Sequence, residues 1–232
     1  MRTIREIGEH SVWAPGLAGG GCVVDAGANH GRFSMEAMRR FPVQTIAIEA
    51  NPGLAAILRG AKLRVAECAL GAANGTTTFY LGENDEASSV RVPSVEGAHL
   101  KVKEAVVVEV KTFLAIIDEE NLAGISCVKL DIEGAEVEVL PAVAPVAGEI
   151  SPQWTVEFHD EPEFGLCSKE EVDTAIHSMQ ENGFSVLVRN WPARTNVLFL
   201  DRRQLGISRF VWFWVKWRYQ WFAFLWRKLR RL

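Results

Sequence analysis

Seven short apolar runs, separated by stretches of helical spacing, restrict what this chain can fold into more than any other feature of its sequence. Residues 22–25, 45–49, 63–68, 127–131, 154–159, 185–189 and 197–200 have the length and β-branched content of strands. Segments 32–41, 53–60, 112–119, 135–143 and 168–182 read as helices. The last opens on the capping box Ser168-Lys169-Glu170-Glu171 and stops at Gly183. Strands that alternate with helices need crossover connections, and these build a mostly parallel sheet covered on both faces. Two further runs, 76–81 after Asn74-Gly75 and 105–110, interrupt the alternation as extra strands with a polar loop between them. The expected fold is α/β and doubly wound, with a seven-stranded, mostly parallel Rossmann-like sheet and a C-terminal amphipathic helix. Residues 1–203 form the domain and 204–232 an appendage.

The sharpest local motif is Val23-Val24-Asp25-Ala26-Gly27-Ala28-Asn29-His30-Gly31, a strand that enters a glycine loop and then a helix. Glycine permits a tight turn and a close approach of ligand to backbone, and a helix start offers free N–H groups. Glu49, at the end of the next expected strand, is placed to accept both ribose hydroxyls of an adenosine-containing cofactor. A dinucleotide fingerprint would need glycine at positions 29 and 32, where this chain has Asn29 and Arg32. The acid Asp25 suits a cofactor with a cationic amino group. S-adenosylmethionine (SAM) is therefore favoured over NAD, and a nicotinamide oxidoreductase is the alternative that these two residues disfavour.

These motifs resemble the FkbM family of SAM-dependent methyltransferases. The resemblance rests on Val23–Gly31, on Ile46-Ala47-Ile48-Glu49-Ala50-Asn51-Pro52, and above all on Val128-Lys129-Leu130-Asp131-Ile132-Glu133-Gly134-Ala135-Glu136. Cys68-Ala69-Leu70-Gly71, Asn74-Gly75 and the Ser88-Ser89 pair are similar to the family as well. The resemblance covers roughly residues 20–160. It implies a class I methyltransferase sheet with SAM as donor, and O-methylation of a sugar, glycolipid or related natural product. Carried onto this chain, Asp25, Gly27, Asn29 and Gly31 belong to the SAM loop and Glu49 grips the ribose. The family often has Thr-Leu-Asp where this chain reads Thr112-Phe113-Leu114, so any polar role of that aspartate is missing here.

Catalysis is expected where strands end on the cofactor side, because ligands of open α/β sheets bind beyond the carboxyl ends of strands. Asp131 and Glu133 end one expected strand, and Glu157 and His159 the next. Methyl transfer to a hydroxyl needs an aligned acceptor and a group that takes its proton. His159 would serve at its ordinary pKa, and Glu133 if burial raised its own. Asp131 with Glu157 or His159 could instead hold magnesium or manganese, although no tight ligand spacing supports a metal. Glu136 and Glu138 are expected on a solvated helix face. His10, His30, His99 and His177 form no ligand pair in sequence.

Charge divides the chain in two. Residues 1–203 hold 18 of the 25 basic side chains and all 29 acidic ones, a balance of −11, and 204–232 carry seven basic residues and no acid. An acidic body argues against nucleic-acid binding. Four scattered cysteines argue against a disulfide or zinc scaffold and for a reducing compartment, and the first residues lack the apolar run of a secretory signal. Residues 208–232 are dense in tryptophan, and Arg209, Lys216, Gln220, Arg227 and Arg231 fall on a helical stripe about 60° wide. Lys216, Arg218 and Gln220 interrupt any spanning segment, so the helix is expected to lie on an anionic membrane surface. Packing onto the domain or onto a second copy is the alternative. The protein is expected in the cytoplasm, peripherally associated with the inner face of the membrane, near a small-molecule or lipid-linked glycan acceptor. A catalytically silent SAM-binding protein recruited by its tail is the remaining alternative.

Overall fold

The computed structural model describes residues 3–82, 88–91, 102–160, 165–189 and 196–222. Its first elements are a hairpin, β1 (Ile4–Ile7) and β2 (His10–Trp13), and the short helix α1 (Ala14–Ala18). The expected alternation follows: β3 (Cys22–Ala26), α2 (Arg32–Arg40), β4 (Gln44–Ile48), α3 (Pro52–Gly60) and β5 (Arg64–Ala66). The interruption comprises β6 (Ala69–Leu70), β7 (Gly75–Gly82) and β8 (Val102–Lys111). Then come α4 (Phe113–Glu119), β9 (Ile125–Leu130), α5 (Glu136–Val143), α6 (Ala147–Ile150), β10 (Gln153–Glu157), α7 (Lys169–Glu181), β11 (Ser185–Val188), β12 (Asn196–Leu200) and α8 (Arg209–Lys216).

All seven expected strands join one sheet in the order β11-β12-β10-β9-β3-β4-β5. Within it β3, β4, β5, β9 and β10 run parallel, and β12 is antiparallel to both its neighbours. The chain order reverses between β3 and β9, which opens a crevice at their carboxyl ends, the position where doubly wound sheets bind ligands. β9 is buried along its whole length, as a strand covered by helices on both faces must be. Trp154, Phe158, Phe199, Ile48 and Leu140 are fully buried around it. The two extra strands, β7 and β8, pair antiparallel and with β6 make a separate three-stranded sheet.

Local chemistry sets the helix starts. Ser168 Oγ accepts the Glu171 N–H at 3.2 Å and Glu171 Oε2 accepts the Ser168 N–H at 2.7 Å, which is the expected capping box on α7. Asn51 caps α3 by accepting from Gly53 and Leu54. α2 has no capping side chain at its first residue; the buried Asp25 carboxylate accepts both the N–H and the hydroxyl of Ser34 in its first turn, at 3.1 and 2.7 Å. The C-terminal segment is α-helical over Arg209–Lys216 and continues as π-helical turns over Trp217–Phe222. Residues 223–232, with Arg227 and Arg231 of the expected stripe, lie outside the described residues, as does His99.

Candidate active site

A cavity of about 620 Å³ opens at the carboxyl ends of β3, β4, β9 and β10. One end is built from the loop after β3. Gly27 and Ala28 donate to the Ile48 carbonyl at 3.0 and 3.2 Å, which pins the loop to β4. Asn29, at φ +50°, donates its N–H to Glu49 Oε2 at 2.8 Å, and Asn51 donates to Glu49 Oε1 at 2.8 Å. Each carboxylate oxygen is thus held by one backbone donor and keeps acceptor capacity. Burial pushes the Glu49 carboxyl up, against the pull of those two N–H groups. Ile48, Leu54, Leu70 and Phe79 supply apolar wall to the same cavity. A carboxylate at a strand end beside apolar wall fits an adenosine: the diol onto Glu49, the base against the apolar side chains.

Asp25 has a role other than the one expected, and the two loop glycines are needed by the fold itself. Asp25 is absent from the cavity lining; besides capping α2 it pairs with the Lys129 ammonium at 3.2 Å. Its acidity serves a helix end and a buried cation, so it is not placed to meet a cofactor's amino group. Gly27, at φ +72°, is required by the fold itself, because a Cβ there would lie 1.7 Å from the Asp131 carbonyl oxygen. Gly31 also has φ +72°, and a Cβ would press on Leu58 and Leu63 at 2.7 and 2.8 Å.

The other end of the cavity gathers Asp131, Glu133, Glu157 and His159, all four rim residues expected from the sequence. Asp131 is its centre. Lys129 Nζ lies 3.3 Å from Asp131 Oδ2 and donates to the Gly27 carbonyl at 2.6 Å. His159 Nε2 is 3.8 Å from Asp131 Oδ1 and 3.4 Å from Glu133 Oε2. Burial opposes ionisation of Asp131, but Lys129, His10 and His159 outweigh it and hold the carboxyl well below its usual range. Burial likewise disfavours charge on His159, yet Glu136, Glu133 and Asp131 prevail and keep its imidazole protonated far above the ordinary value. His159 is therefore a cation and a donor at neutral pH, a poor match to the base expected of it. Burial raises Glu133 to about 8, and burial together with the Asp131 charge raises Glu157 to about 7.

Two residues of this end escaped sequence reasoning. Glu136, expected in solvent, is fully buried. Its carboxylate accepts the Ile132 and Gly134 N–H groups at 2.6 and 2.9 Å and holds the turn in which Glu133 (φ +55°) and Gly134 (φ +96°) aim the rim into the cavity. Glu138 is on the exposed face and pairs with Arg91 at 2.6 Å. His10 enters from the β1–β2 hairpin, with Nε2 3.5 Å from Asp131 Oδ2 and 3.6 Å from Glu157 Oε2. The sequence cue that could have placed it is Gly8-Glu9, a two-residue connection opening on glycine between the short runs 4–7 and 10–13. His10, Asp131 and Glu157, and separately Asp131, Glu133 and His159, have ligand atoms within 4.8 Å of one another, close enough to share a metal ion. Lys129 already supplies positive charge to the carboxylate both groups share.

A doubly wound sheet with a single antiparallel strand, a glycine loop and a strand-end acid on one cavity defines a class I methyltransferase architecture. The family model described as methyltransferase FkbM domain matches residues 25–186, and the chain belongs to that family of methyltransferases. It is similar to "Methyltransferase 1" of Beauveria bassiana (strain ARSEF 2860), 28% identical over 190 residues, 72% of this chain and 73% of that protein. Among solved structures it is similar to a methyltransferase from Pyrococcus furiosus, at 10% identity and TM-score 0.41, covering 80% of this chain and 77% of that one. A precorrin-6y C5,15-methyltransferase from Geobacter metallireducens GS-15 is similar at 12% identity and TM-score 0.39, with 78% of each chain covered.

Proposed function

We propose that this protein is a SAM-dependent O-methyltransferase acting on a hydroxyl of a sugar, glycolipid or related natural product, whether a small molecule or a lipid-linked glycan. The observation that carries the reading is one cavity with two chemically distinct ends: Glu49 beside apolar wall, and a buried carboxylate–histidine cluster opposite. SAM, when bound, supplies an electrophilic methyl group on a sulfonium centre. Glu49 and the Gly27–His30 loop bind the nucleoside, and Ile48, Leu54, Leu70 and Phe79 exclude water from it. The acidic lining favours a cationic cofactor. At the far end the protonated His159 orients an acceptor oxygen by donating to it. Glu157, ionising near neutral pH, accepts the proton that the acceptor hydroxyl loses.

Calorimetry and a methyl-transfer assay test this. Glu49→Ala removes an acceptor of charge-assisted hydrogen bonds, about 1.5–3 kcal/mol, and should weaken SAM binding roughly tenfold or more. Glu157→Gln should leave SAM affinity within about twofold and lower transfer of labelled methyl to extracted glycolipid about 10²–10⁴-fold. Tighter binding of NADH than of SAM would overturn the cofactor reading. SAM binding with no transfer to any hydroxyl-bearing pool would make the protein a silent SAM binder.

A further inference from the structure

The C-terminal helix α8 has two apolar faces, and the protein uses only one. Ser208 starts the helix by accepting the Val211 N–H at 3.2 Å. Val215 is buried, and Trp212 and Tyr219 pack with it against Ile4, Trp13, Leu187, Leu198 and Leu200. Tyr219 Oη donates to the Ile4 carbonyl at 3.2 Å, and the Arg202 guanidinium lies 5.7 Å from the Trp212 ring centroid. Residues 212, 215 and 219 follow helical spacing, so this face is part of the domain core.

The other face holds large rings in solvent. Phe210 is 71% exposed, Phe213 62%, Trp214 50% and Trp217 44%. Trp214 meets the other three edge to face, at centroid distances of 6.2, 6.1 and 5.8 Å, so the rings form one contiguous patch. A contiguous aromatic patch on a surface marks an interaction site. Arg209, Lys216 and Arg218 are exposed around it. No acidic residue follows Asp201, and Arg227, Lys228, Arg230 and Arg231 continue the basic series in sequence.

We infer that the face formed by Phe210, Phe213, Trp214 and Trp217 docks the protein on an anionic phospholipid bilayer. Aromatic rings settle at the boundary between headgroups and acyl chains, and Arg and Lys beside them meet lipid phosphates. Among the described residues no helix is long and apolar enough to cross a membrane. Lys216, Arg218 and Gln220 interrupt the apolar run, which suits a helix lying in the interface. A second copy seated face to face on the same patch would oppose like charges, Arg209, Lys216 and Arg218 of each chain, with no acid of the segment between them. The anchored face also means that removing the whole segment would strip cover from Ile4, Leu187 and Leu198 and unfold part of the domain. The exposed rings are the ones to change.

The experiment uses the full chain with vesicles of phosphatidylcholine alone and of phosphatidylcholine with phosphatidylserine. The native protein should co-sediment with the anionic vesicles, more weakly in 0.5 M salt, and its tryptophan emission should shift to the blue. Phe213→Ala/Trp214→Ala should bind roughly tenfold or more weakly while melting at the native temperature, because both rings are exposed. Val215→Ala, on the anchored face, should lower the melting temperature and leave vesicle affinity within about twofold at temperatures where it is folded. The inference is overturned if the native chain ignores anionic vesicles, or if the double variant binds them as the native chain does. It is also overturned if sedimentation shows a dimer of the native chain that the double variant abolishes, since the patch then seats a second copy. None of these results depends on methyl transfer.

Discussion

Replacing Lys129 with Met tests the electrostatic centre of the site. Lys129 is 4% exposed on β9, and its ammonium is shared by Asp25, Asp131 and the Gly27 carbonyl at 3.2, 3.3 and 2.6 Å. Met keeps most of the volume and removes the charge. Among the described residues Asp25 then keeps its bonds from Ser34, and Asp131 keeps His10 and His159. Removing one partner of a buried ion pair costs about 3–5 kcal/mol, and an unsatisfied carbonyl about 1–3 kcal/mol more. Because one ammonium serves all three, these overlap, and about 4–6 kcal/mol is expected. That is a large share of the roughly 5–15 kcal/mol that holds a typical domain together. Urea unfolding followed by circular dichroism measures it. The loss should be greater at pH 7.5 than at pH 5, because Asp131, without the Lys129 charge that lowers it, takes up a proton more readily. If Lys129→Met is too unstable to fold, Lys129→Met/Asp25→Asn should refold, since Asn still accepts from Ser34 and carries no charge. A loss under about 1 kcal/mol in the single variant would falsify the account of Lys129 as the shared counter-ion.

Stability and turnover should run in opposite directions with pH. Glu157 and Glu133 titrate in the folded chain near 7 and 8, above the ordinary 4.5, so above pH 4.5 the unfolded chain has released protons that the folded chain still holds. The stability this confers is complete below about pH 4.5 and is lost as pH rises through 7 and 8; His159, also raised, loses its share above about 6.5. Melting should therefore weaken by about 1–3 kcal/mol between pH 6 and 8 while methyl transfer climbs through about 7, and a rise in both together would refute the assignment of Glu157 as base. Gly27→Ala should cost about 3 kcal/mol or more and abolish SAM binding, because its Cβ would meet the Asp131 carbonyl at 1.7 Å; an unchanged urea midpoint contradicts this. Turnover should survive EDTA, since Lys129 already balances Asp131, and a loss restored by magnesium would show instead that one of the two histidine–carboxylate groups holds an ion.

The architecture was legible in the sequence because its signals are local. Apolar runs of strand length, the capping box at Ser168 and the glycine loop each act within a few residues, and all seven expected strands entered one sheet. The rim residues Asp131, Glu133, Glu157 and His159 were legible for the same reason: each lies at or just past the end of a strand, and parallel strands end on one side. What those groups do there was decided only by tertiary structure. Asp25 faces Lys129 because β9 lies beside β3, a neighbourhood made by residues about a hundred positions apart. His10 reaches Asp131 only when the N-terminal hairpin closes over the strand ends. Glu136 follows an acid-rich run in sequence, yet it is buried because a sharp turn leaves two N–H groups that need an acceptor. The protonation of His159 likewise depends on three carboxylates of the β9–α5 turn, which it meets only because β10 lies beside β9, and the two faces of α8 separate only when one meets the edge of the sheet. Backbone preference and side-chain period are properties of a segment, whereas charge state, solvent exposure and partnership are properties of a place, and that place exists only once the chain has folded.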